Sequence, residues 1–197
     1  NPVFTGTLAY NLAIIGVGEK GNTRRAFAAL VSSNYFSVLG VSPAQGRAFL
    51  SEEETPGRSA AVVIVGYNFW KKRGLDPALV GSPVTINGRI FTVVGIMPEG
   101  FSGTMNLFSA EMWLPLGDYD LVANDFDSDD RTKLGDRAGT QLLLVGRLKP
   151  GLTPATAEPA MKTLAANLES AFPIEQKDQT FVLRPLARFS TSTSRRA

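Results

Sequence analysis

Two clusters of carboxylates are the densest groups of chemically competent side chains in the sequence. Glu52, Glu53 and Glu54 stand together, and paired carboxylates can serve acid–base catalysis. They directly follow an apparent strand end, so we interpret them as a solvated charge run. Residues 125–136 resemble the opening of a calcium loop, but Asp130 occupies the sixth position, where such loops need glycine for a sharp turn. We therefore predict a solvated acidic loop there.

Tryptophans and glycines supply the other candidate binding features. Trp70 and Trp113 have the side chains of an aromatic ligand platform, but their spacing favours anchors of a hydrophobic core. Residues 16–18 and 95–100 are the nearest approach to glycine-rich phosphate loops, and neither contains GxGxxG or GK[ST]. We expect these glycines to serve turns, and we expect no nucleotide site.

Histidine and cysteine are both absent from the 197 residues. Without them the chain has no disulfide, thiolate nucleophile, Ser-His-Asp triad or HExxH site. The serines have no histidine as a base, and no SxxK spacing appears. We therefore expect no enzyme activity, no cofactor and no specific binding of metal or nucleotide.

The composition indicates a globular domain with an ordinary core, since 44% of the residues are hydrophobic and 19% are charged. Twenty basic and 18 acidic residues give a net charge of +2. So small an excess predicts neither a nucleic-acid partner nor a basic patch. No apolar run reaches the roughly 18 to 20 residues that span a bilayer.

The hydrophobic pattern predicts mainly strands. Asn87-Gly88 is the strongest single signal, because it separates two β-branched stretches and a type I′ hairpin turn needs two residues that tolerate positive φ. The predicted strands are residues 9–17, 25–31, 60–65, 83–86, 89–96, 140–148 and 180–184.

Three short helical segments are predicted among these strands. Residues 34–39 form a helix that Ser32 or Ser33 caps and that Gly40 ends in a left-handed conformation. Residues 67–73 form one or two helical turns. Asp76-Pro77 then has the N-cap and N1-proline order of a short helix that ends near residue 81.

A longer helix is predicted from about residue 153 to Phe172, with Met161, Leu164 and Leu168 on the same face as Phe172. Its start has two readings, since Thr153-Pro154 is a good cap but Pro159 falls in the second turn. Either the first turn is separate, or Thr156 caps a later start.

A set of short motifs runs in order along residues 9–172. Residues 33–49 read NYF-x-VLGV-x-P-x-x-GR-x-F after the first serine, and the later motifs include ING, FTVVGIMP, WLP and VGRLKPG. Their order resembles the MacB-like periplasmic core domains of ABC transporter permeases of the MacB and FtsX type. The resemblance implies structural motif residues and no catalytic ones. They are Asn34, Tyr35, Phe36, Gly40, Pro43, Gly46, Arg47, Trp70, Asp76, Pro77, Gly81, Asn87, Gly88, Gly95, Pro98, Phe101, Trp113 and Pro115.

The resemblance implies a two-lobed α+β fold. Residues 1–56 and 139–197 would form a porter-like α/β lobe, and residues 57–138 an inserted, mixed α/β lobe of the Sabre type. Two departures stand out, because no helix precedes the first predicted strand and the family helix after KPG usually lacks a proline like Pro159.

The resemblance also implies a function and a location. Such domains lie on the periplasmic side of the inner membrane, between the first two transmembrane helices of a permease, and relay ATP-driven movement to a periplasmic substrate or partner in export or envelope processes. The chain is most similar to the subgroup of permeases that lacks a fused ATPase.

The partners implied are the permease's own transmembrane helices, a separate ATPase subunit and, in some systems, a periplasmic adaptor. We expect the isolated domain to be a monomer or weak dimer. Two other functions remain open on the residues alone: a soluble module that binds a ligand near Trp70 or Trp113, and a histidine-free hydrolase built on a carboxylate pair.

Overall fold

One mixed sheet contains every strand that the computed structural model describes, over residues 2–18, 21–104, 109–122, 134–135 and 142–186. The strands are β1 (Phe4–Val17), β2 (Arg24–Val31), β3 (Gln45–Gly46), β4 (Val62–Val65), β5 (Pro83–Ile86), β6 (Arg89–Ile96), β7 (Met112–Pro115) and β8 (Leu143–Leu148). The α-helices are α1 (Tyr35–Leu39), α2 (Tyr67–Lys71), α3 (Tyr119–Val122) and α4 (Pro154–Ala171). This mixture confirms the predicted α+β class.

The sheet closes on itself. Its order is β2-β7-β4-β6-β5-β1, and β1 also pairs with β2, so the last strand meets the first. The β2–β7 and β4–β6 pairs are parallel, and the other pairs are antiparallel. The weakest seam is β1–β5, where Val17 pairs with Ile86 and the Asn87 N–H donates to Gly16 O at 2.8 Å. We call this ring of strands, with β1 counted from Tyr10, the closed sheet.

Alternation of side chains along the strands places one core inside the closed sheet and another on its outer face. The inner core takes every second residue, such as Ile15 of β1, Leu30 of β2 and Phe91 of β6. The outer core takes the intervening residues, such as Ala29 and Ile64, and α1 covers it. Val62–Val65 are all buried, as the continuous apolar run predicted, because both cores contact β4.

The first part of β1 extends beyond the closed sheet. Phe4–Tyr10 pairs with β8, and a small cluster that includes Val3, Ala157 and Met161 packs α4 beside them. We call the first part of β1 together with β8 and α4 the arm. Because β1 is one continuous 14-residue strand, the arm and the closed sheet share a backbone.

Several sequence predictions are confirmed. The β1–β2 hairpin forms, and β5 and β6 have the predicted bounds. Asn87 and Gly88 have φ values of 49° and 75°, as a type I′ turn requires. Asp76 accepts a hydrogen bond from the Ala78 N–H at 2.9 Å, so it caps the predicted turn, which is a 3₁₀ segment over Pro77–Leu79.

Other predictions need correction. Asn34, rather than Ser32 or Ser33, is the N-cap residue of α1, and its side chain makes no cap hydrogen bond. The strand predicted at 60–65 begins only at Val62, because Ala61 has a φ of 51°. β1 begins at Phe4, five residues before the predicted start.

The C-terminal third also differs from its prediction. Thr153 caps α4, and the helix runs unbroken through Pro159. Because proline has no N–H, one helical hydrogen bond is missing in the second turn. Residues 180–184 form no strand. Phe181 and Leu183 still pack against the arm cluster. The alternating pattern therefore marked side chains that are partly buried, but the segment pairs with no strand of the described structure.

The predicted division into lobes stays a prediction. β4–β7, from the segment 57–138, lie in the same closed sheet as β1 and β2. The start of the strand predicted at 140–148 and residues 125–133 and 136 of the predicted acidic loop, Asp130 included, lie outside the described residues. No helix in the described part of the chain is long and apolar enough to cross a membrane.

Candidate functional site: the helix α1 brace

Helix α1 is short and is stabilised mainly by its ends and its packing. Gly40 has a φ of 74°, and its N–H donates to Ser37 O while the Val41 N–H donates to Phe36 O. This left-handed end is the one that the sequence predicted for Gly40. It turns the chain toward β3, so that α1 lies across the outer face of the closed sheet.

An aromatic cluster anchors α1 to that face. Phe36 is buried, and its ring centroid lies 5.2 Å from Tyr35, 6.0 Å from Phe49, 5.9 Å from Phe101 and 6.0 Å from Trp113. Edge-to-face and tilted pairs at these distances add to the free energy gained by burying the rings. Trp113 is completely buried, as its prediction as a core anchor required, so it offers no platform to a ligand.

The Tyr35 hydroxyl lies inside this cluster. It accepts a hydrogen bond from the Thr104 N–H at 3.0 Å and lies 3.1 Å from the Thr104 hydroxyl. Burial raises the pKa of the Tyr35 phenol, although the hydrogen bonds with Thr104 act in the opposite direction. A neutral, bonded phenol of this kind holds the segment before β7 against α1.

Polar contacts tie α1 to the arm. The Asn34 side-chain amide donates to Thr7 O of β1 at 2.9 Å, and the Arg147 guanidinium of β8 donates to Val38 O at 2.9 Å. The Ser32 hydroxyl accepts from the Ala9 N–H and donates to Asn34 Oδ1. One face of α1 therefore packs against the closed sheet, while its two ends are hydrogen-bonded to the two strands of the arm.

The Glu52–Glu54 run is not the solvated cluster that was predicted. Glu53 is only 6% exposed and forms a bidentate ion pair with Arg47, with Nη2 2.7 Å from Oε1. Glu54 accepts a hydrogen bond from the Ser33 N–H at 2.6 Å. Burial alone would raise the pKa of Glu53, but the hydrogen bonds from Arg47 and the Leu50 N–H hold that pKa below its ordinary value. These carboxylates fix the loop after β3 against α1.

Motif glycines and prolines bring β3 close to β6. Gly46 has a φ of 74°, and a Cβ atom there would collide with Val94 O, so only glycine fits. Gly95 faces Arg47 O in the same way. Pro43, two residues before β3, and Pro98, two residues after β6, are half-buried at the same end of this antiparallel contact.

A second group of motif residues lies away from α1. The Trp70 indole N–H donates to Asp76 O at 2.7 Å, and Pro77 follows the Asp76 cap. The Gly81 N–H donates to Val93 O at 2.8 Å, and Asn87 Oδ1 accepts from the Gly16 N–H at 2.7 Å beside Gly88. The structure therefore separates the motif residues into two groups. The group around α1 contains Asn34, Tyr35, Phe36, Gly40, Pro43, Gly46, Arg47, Gly95, Pro98, Phe101 and Trp113, with Pro115 buried at the end of β7.

Asp118 is the most deeply buried charged residue of the described chain, and the sequence did not predict it. Its side chain is 0% exposed, and neither carboxylate oxygen makes a well-formed hydrogen bond. Burial raises the pKa of Asp118, although the nearby Ser59 hydroxyl and Ala61 N–H act to lower it. The one sequence signal for the burial of Asp118 was its position between two large hydrophobic residues, Leu116 and Tyr119, which are both buried.

The chemistry available to this arrangement is structural. Among residues 2–18, 21–104, 109–122, 134–135 and 142–186, no group of three or more His, Cys, Asp or Glu side chains could hold a metal ion. A cleft of about 190 Å³ lies between the start of α2 and the segments 100–102 and 109–111, and Phe101 of the aromatic cluster lines one of its walls. We call α1, with its anchor at Phe36 and its bonds from Asn34 and Arg147, the α1 brace. The α1 brace thus joins the arm to the closed sheet.

Comparison with known proteins agrees with the motif order. Residues 2–164 match the family model described as the MacB-like periplasmic core domain. The chain belongs to this family. It is therefore a periplasmic domain of the MacB-like ABC transporter permeases. No curated protein matches the chain.

Two solved structures share the fold at 16% sequence identity. The periplasmic region of MacB from Actinobacillus actinomycetemcomitans superimposes with a TM-score of 0.59, over 93% of this chain and 73% of that one. The extracellular domain of the noncanonic ABC-type transporter YknZ from Gram-positive bacteria gives a TM-score of 0.55, over 84% of this chain and 76% of that one. Both likenesses are to domains of transporters, and at this identity they show the fold.

Proposed function

We propose that this domain relays ATP-driven movement within a permease to a periplasmic substrate or partner. A separate ATPase subunit would generate the movement, and the permease's own transmembrane helices, anchored in the inner membrane, would transmit it to the domain. The family supports this proposal, because its members are domains of transporter permeases.

The observation that carries the proposal is the α1 brace. A relay must move as a unit, and the arm and closed sheet are joined by the continuous β1 and by the bonds of Asn34 and Arg147 across their junction. Packed elements with polar ties at both ends transmit displacement instead of absorbing it. On this proposal, the motif residues around α1 are structural parts of the relay.

The two alternative functions receive less support. Trp113 is buried and the Trp70 indole is bonded to Asp76 O, so neither forms an open aromatic platform. Glu53 is engaged by Arg47, and Asp118 is enclosed away from solvent, so these carboxyls do not form a pair in a cleft.

Spin labels on the full-length permease, reconstituted with its ATPase, would test the relay. These 197 residues contain no cysteine. In a permease whose other segments are also made free of cysteine, Lys149→Cys and Arg25→Cys place single labels on the arm side and on the closed sheet. We expect trapping with ATP and vanadate to change the distance from the Arg25→Cys label to one in a transmembrane helix. The distance between the two domain labels should stay constant, because the brace holds the parts together.

A variant without the brace provides the decisive comparison. Asn34→Ala combined with Arg147→Ala removes the bonds to Thr7 O and Val38 O. It should keep ATP hydrolysis while broadening or abolishing the distance change at the closed sheet. Lys162→Ala, on the exposed face of α4, is the matched control and should behave as the wild type. A wild-type domain that does not move with nucleotide, or an unbraced domain that moves fully, would contradict the relay.

A further inference from the structure

One asparagine fastens the β1–β5 seam of the closed sheet. Asn87 is the first central residue of the turn between β5 and β6, and its N–H donates to Gly16 O at 2.8 Å. Its side-chain Oδ1 accepts from the Gly16 N–H at 2.7 Å. The neighbouring backbone bond of the seam runs from the Gly18 N–H to Thr85 O at 3.1 Å. Asn87 therefore bonds to Gly16 through both its backbone and its side chain.

The same asparagine precedes a glycine, and such a pair is chemically unstable. The backbone nitrogen of Gly88 can attack the side-chain carbon Cγ of Asn87. A C–N bond forms, and the side-chain amide nitrogen leaves as ammonia with the proton from the Gly88 N–H. Water then opens the resulting succinimide on either side of its ring nitrogen, which gives an aspartyl or an isoaspartyl residue. Glycine hinders the attack least because it has no side chain, and asparagine is a thermolabile residue.

The folded turn holds the reacting groups apart. Asn87 has a φ of 49°, in the left-handed region. There ψ is about +47°, and the next backbone nitrogen points away from the residue's own Cβ. The bond from the Gly16 N–H also fixes the Asn87 side chain. Attack requires the two atoms to come within about 3 to 3.5 Å in the right orientation, so the turn must open locally before it can react.

Burial plays no part in this protection. Asn87 and Gly88 are both exposed, so water reaches any succinimide that forms. A Cβ placed at Gly88 would meet no atom within 4 Å. The protection therefore comes from the left-handed conformation and from the bonds to Gly16.

We propose that Asn87 is a deamidation site that the closed β1–β5 seam protects, and that its isoaspartyl product opens the seam. An isoaspartyl residue places the side-chain methylene in the backbone, so the tight two-residue turn between β5 and β6 no longer fits. The ammonia is not restored, so the change is permanent. This inference goes beyond the relay, since it concerns the covalent structure of the domain and needs no ATPase.

Peptide mapping by mass spectrometry tests the protection on the intact domain at mildly alkaline pH. We expect Asn87 to deamidate at least about tenfold more slowly in the folded domain than in the same chain unfolded in urea, because only the open turn reacts. Asn22 is an exposed internal reference that precedes Thr23. It should react more slowly than Asn87 in urea, because the threonine side chain hinders the attacking nitrogen.

Gly16→Val weakens the protection without altering the reacting pair. A Cβ at Gly16 would already lie 3.5 Å from Asn87 Oδ1 and 2.9 Å from Thr23 Cγ2, so the larger valine should displace the Asn87 side chain. We expect deamidation about fivefold or more faster than in the folded wild type, because the turn opens more often. Thr92→Val, at an exposed position of β6, is the matched control and should leave the rate unchanged. Thermal melting checks that both variants fold, and the comparison of folded with unfolded wild type needs no variant.

Hydrogen exchange on the purified isoaspartyl form measures the opening of the seam. The Gly16 and Gly18 amides should exchange faster than in the unmodified domain, because both donate across the seam. The amide of Leu30, which lies in β2 away from the seam, should exchange at the same rate in both forms.

Three results would overturn the proposal. They are equal rates at Asn87 in the folded and unfolded domain, a folded Gly16→Val variant that deamidates no faster than the wild type, and an isoaspartyl form in which Gly16 and Gly18 remain protected. None of them bears on the relay, which the spin-label distances measure separately.

Discussion

Two buried carboxyls show how strongly the surroundings of a residue decide its role. Glu53 is paired with Arg47 and keeps its charge, whereas Asp118 is enclosed near Ser59 and forms no ion pair with any cation of the described residues. Their pKa values are displaced in opposite directions. Glu53 stabilises the fold above the ordinary pKa of glutamate, and this contribution is lost as pH falls through its lowered pKa.

Asp118 has the opposite effect on stability. The folded state binds its proton more tightly than the unfolded state does, so its unfavourable effect appears as pH rises through the window between the ordinary aspartate pKa and the raised one. Asp118→Asn removes the charge at nearly constant shape. We expect the variant to be more stable than the wild type at neutral pH, by about 1 kcal/mol or more.

Urea denaturation at several pH values measures this difference. The gap between Asp118→Asn and the wild type should narrow as pH falls toward the ordinary pKa of aspartate, where Asp118 is protonated in both states. Ser51→Ala, at an exposed position in the same region, is the control and should show no such pH dependence. A variant less stable than the wild type at neutral pH would mean that the Asp118 carboxylate has a partner that stabilises its charge.

Residue roles of this kind were only partly predictable. The burial of Trp113 and the left-handed Gly40 follow from local rules, and both were predicted. Glu53 was not, because three adjacent glutamates look alike in sequence and only the fold selects the one that faces Arg47. Ion pairs between residues brought together by a turn depend on tertiary geometry, which composition does not contain.

At the scale of elements, turn chemistry was the most reliable guide. The β5–β6 hairpin follows from Asn87-Gly88 because few residue pairs accept two positive φ values. The first part of β1 was missed, since its alternation is interrupted by glycine and threonine and only pairing with β8 makes it a strand. Segment 180–184 is the opposite case. Its residues alternate as those of a strand do, but it forms no strand because it does not pair with the edge of the sheet.

Gly88→Val tests the hairpin. A β-branched residue resists the φ of 75°, so we expect a loss of about 1 kcal/mol or more, measured as a lower urea midpoint. A Cβ at Gly88 would meet no atom within 4 Å, so a clash would not explain the loss. Gly88→Asn is the matched control and should cost much less, because asparagine tolerates the left-handed region. Equal midpoints for the wild type and Gly88→Val would show that the turn relaxes without cost.

The closure of the sheet is a property of the whole molecule, and no local sequence pattern predicted it. It depends on one strand, β1, pairing with β2, β5 and β8 along different parts of its length. Pairings between β1 and β5 or β8 join residues far apart in the chain, and hydrophobic alternation shows that a face is buried without showing against which strand. The motif order predicted the family, whereas the ring of strands had to be seen in the structure.

Closure also bears on self-association. Where the strands of the ring are paired on both edges, they offer no template to a second copy. β8 is different, because in the described structure it pairs with β1 alone and carries Leu143 and Leu144, which are 51% and 66% exposed. A short edge with two exposed leucines is a small apolar surface compared with the roughly 1,200 to 2,000 Å² that a stable interface buries.

We therefore expect the isolated domain to be a monomer or only a weak dimer. Light scattering at micromolar concentration should give a mass near 21.1 kDa. If a full permease carries two copies of the domain, their linkage through it would raise the effective concentration of any weak contact between them. A stable species of twice the mass would contradict the expectation, and Leu144→Lys would then locate the interface. If that substitution restored the monomer, the β8 edge would carry the contact, and pairing between copies would become part of the relay.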